Sequence, residues 1–261
     1  MSDKGFIITV TQCKIINNLT TLLRMRKYKR ILLKLSGEAL ASAENTVDPD
    51  TLRKVVNIIQ SALNQKVEVG IVVGGGNIFR GAALAEAGMN RVTGDHMGML
   101  ATVINALAIS DACRRSNIDA MVMSGFPIGG GVCDPVDHNK AKQALSEGKV
   151  VIFSAGTGSP CFTTDTGAVL RGIEIGADIV FKATKVDGVY TDDPMKNPDA
   201  TRYETLSFNE AIEKNLQIMD TAAFALCREH KLEICVFSML EDPETLSKIL
   251  KGESLGTIVR S

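Results

Sequence analysis

The chain has 261 residues, of which 45% are hydrophobic and 23% charged, and its net charge is -1. That composition belongs to a soluble globular protein with room for one large α/β domain or two small ones. Having no Trp and only 5% aromatics excludes an aromatic platform for single-stranded nucleic acid, and the balanced charge excludes the basic excess of a duplex binder.

No apolar run is long enough to cross a bilayer, so neither membrane nor nucleic acid is an expected partner. The six cysteines (Cys13, Cys113, Cys133, Cys161, Cys227 and Cys235) form no C-x-x-C pair, and with His96, His138 and His230 they make no zinc spacing. Free thiols in a reducing cytoplasm are the expectation. Residues 1–26 are apolar in short runs and lack a small-residue cleavage signature. They are expected to be a peripheral extension ahead of a single domain over 27–261.

From Tyr28 onward, apolar runs alternate with helical patterns. "RILLKL" (30–35) predicts a strand. Residues 49–65 place Leu52, Val55, Val56, Ile59 and Leu63 at helical spacing, and "VEVGIVV" (67–73) predicts the next strand. A long helix is predicted after Asp95, with Met97, Leu100, Ile104 and Leu107 as a stripe of core filler. A strand at 118–124 leads into a glycine-rich turn. A helix then ends at Gly148, and "KVVIFSAGTG" predicts a strand running into another glycine turn. "TTDTGAVLRGIEIG" predicts a helix beginning near Thr164 or Asp165, and "ADIVFKAT" a strand. A surface loop (191–204) precedes helices near 207–215 and 219–230, a strand at 233–237, a last helix, and "GTIVR" as a closing edge strand. Short strands rich in Val and Ile, separated by helices, predict a three-layer α/β/α sandwich around a mostly parallel sheet. A soft boundary is expected near residue 183.

In such a sheet, ligands bind beyond the carboxyl ends of the strands. Three strands end there in glycine turns: "LLKLSGEA", "IVVGGGNIFRG" and "VIFSAGTGSPCFTTD". Bare glycine backbone lets N–H groups approach an anion, and a following helix adds its dipole. Any one of these turns is explained as a tight connection; three together point to phosphate. Neither G-x-x-x-x-G-K-[ST] nor G-x-G-x-x-G is present, so the phosphates would be held in a less common way.

Lys34 ends an apolar strand just before Ser36 and Gly37, where it either points into a polar cleft or snorkels at the sheet edge. Arg80, beyond the triple glycine, either returns over the loop to a phosphate or is an exposed helix residue. Asp95, Asp165 and Asp220 sit at predicted helix starts, where capping is the default role. Beside phosphates they would instead hold hydroxyls, lysines or metal.

These stretches, with "AGMNRVTGDHMGMLATVINALA", "LRGIEIGAD" and "KATKVDGVYTDDP", resemble the bacterial-type UMP kinases (uridylate kinases) of the amino acid kinase family, in order from Tyr28 to the C-terminus. The resemblance implies transfer of the γ-phosphate of ATP directly to UMP, giving UDP and ADP, in pyrimidine nucleotide biosynthesis. It implies Mg2+ bound mainly through nucleotide phosphates, with no metal ligand assigned. It further implies a cytoplasmic homohexamer and inhibition by UTP. Carried onto matching positions, it places Lys34, Leu35, Ser36, Gly37, Gly76 and Arg80 at the ATP phosphates, and Thr184, Tyr190 and Asp193 at the adenine nucleoside. Gly75, Asp95, Thr157, Gly158, Ser159, Pro160, Cys161, Phe162, Thr163 and Thr164 would hold UMP. Lys34, Arg80, Asp165 and Asp220 would be catalytic. The acceptor in this reaction is a phosphate with a second pKa near ~6, so no general base is needed, in keeping with the absence of a well-placed histidine.

Overall fold

The computed structural model describes residues 27–79, 88–214, 216, 218–239 and 242–261. The expected extension over 1–26, and Arg80, lie outside the described residues. Among the described residues, one nine-stranded sheet has the order β4-β3-β5-β2-β1-β6-β8-β9-β7. The strands are β1 (Arg30–Leu35), β2 (Glu68–Val73), β3 (Ala120–Ser124), β4 (Asp134–Pro135), β5 (Val150–Ser154), β6 (Ile179–Thr184), β7 (Thr205–Ser207), β8 (Glu233–Ser238) and β9 (Thr257–Arg260). Each neighbouring pair runs parallel except β8 and β9. The predicted edge strand is β9, but it lies inside the sheet; the three-residue β7 covers its outer side. The sheet passes through residue 183 without a break, Ala183 pairing with Phe237.

The helices are α1 (Pro49–Asn64), α2 (Arg91–Arg115), α3 (His138–Ser146), α4 (Thr164–Ile175), α5 (Phe208–Glu213), α6 (Thr221–His230) and α7 (Thr245–Leu250). Side-chain alternation along the central strands feeds two cores. Ile31, Leu33 and Leu35 of β1 pack toward α1, α2 and α7. Leu32 faces α3, α4, α5 and α6 on the other side. Local chemistry sets the helix ends. Asp48 accepts from the Thr51 N–H at 2.9 Å and Pro49 opens α1. Thr163 accepts from the N–H groups of Asp165 and Thr166, and Gly176 ends α4 at φ 68°.

Helix α2 departs from the prediction twice. It begins at Arg91, capped by Asn90, so Asp95 lies within the helix and is not its cap. The stripe Met97, Leu100, Ile104 and Leu107 is exposed, at 38, 48, 52 and 38%; Met99, Val103, Ala106 and Ile109 are the buried face. A helix apolar on both faces does not reveal by periodicity which face meets the core. Among the described residues α2 is also the one helix long and apolar enough to cross a membrane, and 56% of its apolar window is buried inside the protein.

The sheet order fixes where a site belongs. Strands β2 to β5 lie on one side of β1, and β6 to β9 on the other. The order reverses between β1 and β6, and a crevice opens beyond the carboxyl ends of strands at such a switch point.

Candidate active site

Lys34 and Lys182 are register partners on the parallel strands β1 and β6. Adjacent strands lie about 4.8 Å apart, so two ammoniums share one face at the switch point, an arrangement that is repulsive by itself. Helix α4 resolves it. Asp165, in its first turn, places Oδ1 2.7 Å from Lys34 Nζ and Oδ2 2.7 Å from Lys182 Nζ. All three side chains are at most 15% exposed. Lys182 also donates to the Ile218 carbonyl. Burial opposes the charge on Asp165, but Lys34 and Lys182 prevail and hold its pKa below the usual 3.8. Burial pulls the Lys182 pKa below 10.5, with Asp165 countering and nearby Lys34 adding to the drop. Two ammoniums against one carboxylate leave one net positive charge.

Asp220 caps α6, as the sequence predicts, accepting from the Ala223 N–H at 2.9 Å. Its carboxylate also accepts from the hydroxyls of Thr163 and Thr166. Burial opposes its charge, yet these hydrogen bonds lower its pKa. Asp220 therefore ties the start of α6 to the start of α4, and through it to Asp165. The capping role expected of Asp165 belongs to Thr163 instead.

Two glycine turns meet above β1 and β2. A Cβ on Gly37 would lie 2.8 Å from the Gly74 carbonyl oxygen, and one on Gly74 would lie 2.9 Å from the Gly37 nitrogen. Only bare backbone allows this approach. Asn105 of α2 locks it, donating to the Gly74 carbonyl at 2.7 Å and to Asn77 Oδ1 at 2.8 Å. Ser36 begins the short 3-10 turn Gly37–Leu40. The Leu35 side chain is fully buried in the core, so only its backbone reaches the turn, where its carbonyl accepts from the Gly74 N–H.

Three connected cavities surround the lysine bridge. One, of about 250 Å³, is lined by Gly75, Gly76, Asp95, Thr157, Ser159, Phe162, Thr163 and Thr164, together with Phe79, Arg91 and Thr102. Asp95 there pairs with Arg91 Nε at 2.9 Å and accepts from the Cys161 N–H at 2.8 Å. Gly158, Pro160 and Cys161 complete the loop without lining this cavity. A second, of about 350 Å³, holds Thr163, Thr164, Asp165, Lys182, Ile218 and Asp220. A third, of about 630 Å³, is lined by Lys182, Thr184, Tyr190, Asp193, Lys214 and Ile218. The middle cavity shares Thr163 and Thr164 with the first, and Lys182 and Ile218 with the third. Of the sequence-selected groups, Gly75, Gly76, Asp95, Thr157, Ser159, Phe162, Thr163, Thr164, Asp165, Thr184, Tyr190, Asp193 and Asp220 line these cavities, and Lys34 meets Asp165 at their centre. Lys182 escapes the sequence reading although it carries the signal Lys34 carries, a lysine inside an otherwise apolar strand. Arg91 is hidden because its partner Asp95 is one turn away on a helix whose start the sequence misplaces.

The arrangement offers two outer pockets and, between them, two buried ammoniums held by one carboxylate. Among the described residues no three His, Cys, Asp or Glu side chains form a metal-binding group.

The amino acid kinase family matches over residues 29–238. The chain is 76% identical over 236 residues to a uridylate kinase of Ruthia magnifica subsp. Calyptogena magnifica, covering 90% of this chain and 99% of that one. Among solved structures, the UMP kinase from Bacillus anthracis superposes with a TM-score of 0.86 at 39% identity, covering 90% of this chain and 97% of that one. The UMP kinase from Ureaplasma parvum superposes with a TM-score of 0.83 at 36% identity, covering 90% and 100%.

Proposed function

The chain belongs to the amino acid kinase family, and we infer that it is a nucleoside monophosphate kinase, transferring the γ-phosphate of ATP to UMP to give UDP and ADP in pyrimidine nucleotide biosynthesis. The observation that carries the mechanism is the Lys34–Asp165–Lys182 bridge at the middle cavity, between the 250 and 630 Å³ pockets.

ATP occupies the 630 Å³ cavity, its adenosine against Thr184, Tyr190 and Asp193. Its phosphates reach Lys34, Ser36, Gly37, Gly76 and the Leu35 backbone, with Arg80 assigned to the same phosphates. UMP occupies the 250 Å³ cavity, its ribose hydroxyls on Asp95 and its phosphate toward Thr163 and Thr164. The acceptor phosphate is mostly dianionic near neutral pH and attacks in line without a base. What the protein supplies is alignment and positive charge. At an effective dielectric of ~20, unit charges ~4 Å apart interact by about 4 kcal/mol, so donor–acceptor repulsion is large. The ammoniums of Lys34 and Lys182 offset it, and Asp165 holds both in place. The transfer is direct, and the two carboxylates at the junction are already engaged, Asp165 by the two lysines and Asp220 by the Thr163 and Thr166 hydroxyls and the Ala223 N–H.

Phosphoryl transfer of this kind generally needs a divalent metal. With Asp165 taken by two lysines and Asp220 by hydroxyls, the residues fit an Mg2+ carried on the nucleotide phosphates and water. Bound there, such an ion would supply positive charge to the phosphates beside the two lysines.

The same proposal includes a single catalytic domain over 27–261 with 1–26 peripheral, a cytoplasmic location, and a homohexamer. The exposed stripe on α2 supports self-association, since contiguous apolar surface marks interfaces. UTP carries the uridine that the acceptor pocket would hold, which supports inhibition by UTP.

The test is an ADP-release assay with ATP and Mg2+, offering UMP, CMP, dUMP and carbamate in parallel beside a Lys34→Ala control. Turnover confined to UMP and collapsed in the control is expected. Turnover with carbamate, or none with UMP, would refute the proposal.

A further inference from the structure

We propose that Arg171 is a positioning residue for the acceptor: a buried arginine on α4 that holds the loop after β5 in the shape that receives UMP. The inference rests on the reading of that loop as the UMP site.

Arg171 is 4% exposed. Its Nη2 donates to the carbonyls of Gly156 at 3.2 Å and Thr157 at 3.4 Å. Its Nη1 pairs with Glu174 Oε2 at 2.6 Å. The loop it grips is unfavourable in isolation. Ala155 has φ 56°, in the left-handed region that disfavours a residue with a Cβ. Gly156 and Gly158 follow at φ 53° and 86°. Such a shape persists only where its surroundings enforce it. From α2, Thr102 Oγ1 accepts the Ala155 N–H at 2.7 Å. From α4 the hold is double. A Cβ on Gly167 would lie 3.1 Å from the Gly156 Cα and carbonyl carbon, so the helix already touches the loop there. Arg171, four residues on and on the same face, takes its carbonyls.

Two consequences follow for the acceptor. The carbonyl oxygens of Gly156 and Thr157, the negative ends of their peptide dipoles, are taken up by a guanidinium instead of facing a dianion. Helix α4 also carries Asp165, six residues or about 9 Å along its axis from Arg171. One rigid element therefore sets the acceptor loop and the lysine bridge relative to each other. Arg171 itself lines neither substrate pocket, but the two residues it bonds, Gly156 and Thr157, line the acceptor pocket and not the larger one, so its effect falls first on UMP.

The experiment is steady-state kinetics of the full chain with Arg171→Met, Arg171→Lys and Gly167→Ala, each checked by thermal unfolding. Arg171→Met is expected to raise KM for UMP roughly tenfold, the scale of one lost charge-assisted hydrogen bond, with KM for ATP held within about twofold. Arg171→Lys keeps the charge but not the fork and should fall between wild type and Met. Gly167→Ala, which pushes the helix off the loop without touching charge, should reproduce the UMP-selective rise and carries the test if Arg171→Met does not fold. Equal changes in both KM values, or none, in a wild-type background that phosphorylates UMP would overturn the role of Arg171 alone. Absence of UMP turnover in the wild-type chain would instead overturn the functional reading beneath it.

Discussion

Replacing Asp165 by asparagine tests the centre of the site with the smallest change of shape. The carboxylate lies 2.7 Å from each of two buried ammoniums. At an effective dielectric of ~20, each contact is worth about 6 kcal/mol before desolvation. Removing the shared partner of a buried ion pair typically costs about 3–5 kcal/mol, because the remaining charges stay buried without compensation. Here two like charges remain, side by side on adjacent strands. A fall in Tm of about 10 °C is expected at neutral pH, together with loss of turnover as the lysines separate. The pH dependence gives a second check. Asp165 has a depressed pKa in the folded chain, so the unfolded chain binds its proton first as pH falls. Its stabilisation is complete well above 3.8 and is lost as pH drops below that value through the folded pKa. The gap between wild type and Asp165→Asn should therefore narrow in acid. Unfolding followed by circular dichroism across pH, beside ADP release at pH 7.5, measures both. A variant destabilised by less than about 1 kcal/mol, or a gap that stays constant into acid, would refute the reasoning.

Lys182→Met should lower kcat by about 10²–10³ without lowering Tm, because burial already disfavours that ammonium and Lys34 still pairs with Asp165; a destabilised variant with normal kcat would contradict this. Asp95→Ala should raise KM for UMP about tenfold, the scale of one lost hydrogen bond to a charged group, and leave KM for ATP unchanged, as read by varying each substrate in turn. Ile104→Glu places a charge on the exposed apolar stripe of α2 and should reduce the sedimenting mass of the assembly; an unchanged mass would exclude that face from the subunit contact.

The sequence made the layers and the strand ends legible because both leave local marks. Period and composition gave most strands and helices to within a few residues, and Gly37, Gly74 and Gly75 marked the close backbone approaches found above β1 and β2. What escaped depends on pairing between distant segments. Lys182 is significant because β6 lies beside β1 in register, a fact that no window of the chain contains. The two-residue β4 and three-residue β7 are too short to show a period. By sequence the exposed stripe of α2 reads as core, because Met97, Leu100, Ile104 and Leu107 have the spacing of a buried face; only the placement of α2 on the sheet shows that Met99, Val103 and Ile109 hold that position.

The three charges of the bridge occur in the chain in the order Lys34, Asp165, Lys182. The carboxylate is therefore synthesised between the two cations it must reconcile. The residues of α4 are synthesised before those of β6, and α4 packs against β1. Pairing of Lys34 with Asp165 needs no part of β6, so a β6 that docks on that pair brings its ammonium to a carboxylate already in place. Had the order placed the carboxylate last, the central strand pair would have to form against bare repulsion. The linear order of these residues thus suits assembly of the sheet outward from β1, the second cation of the bridge entering only with β6.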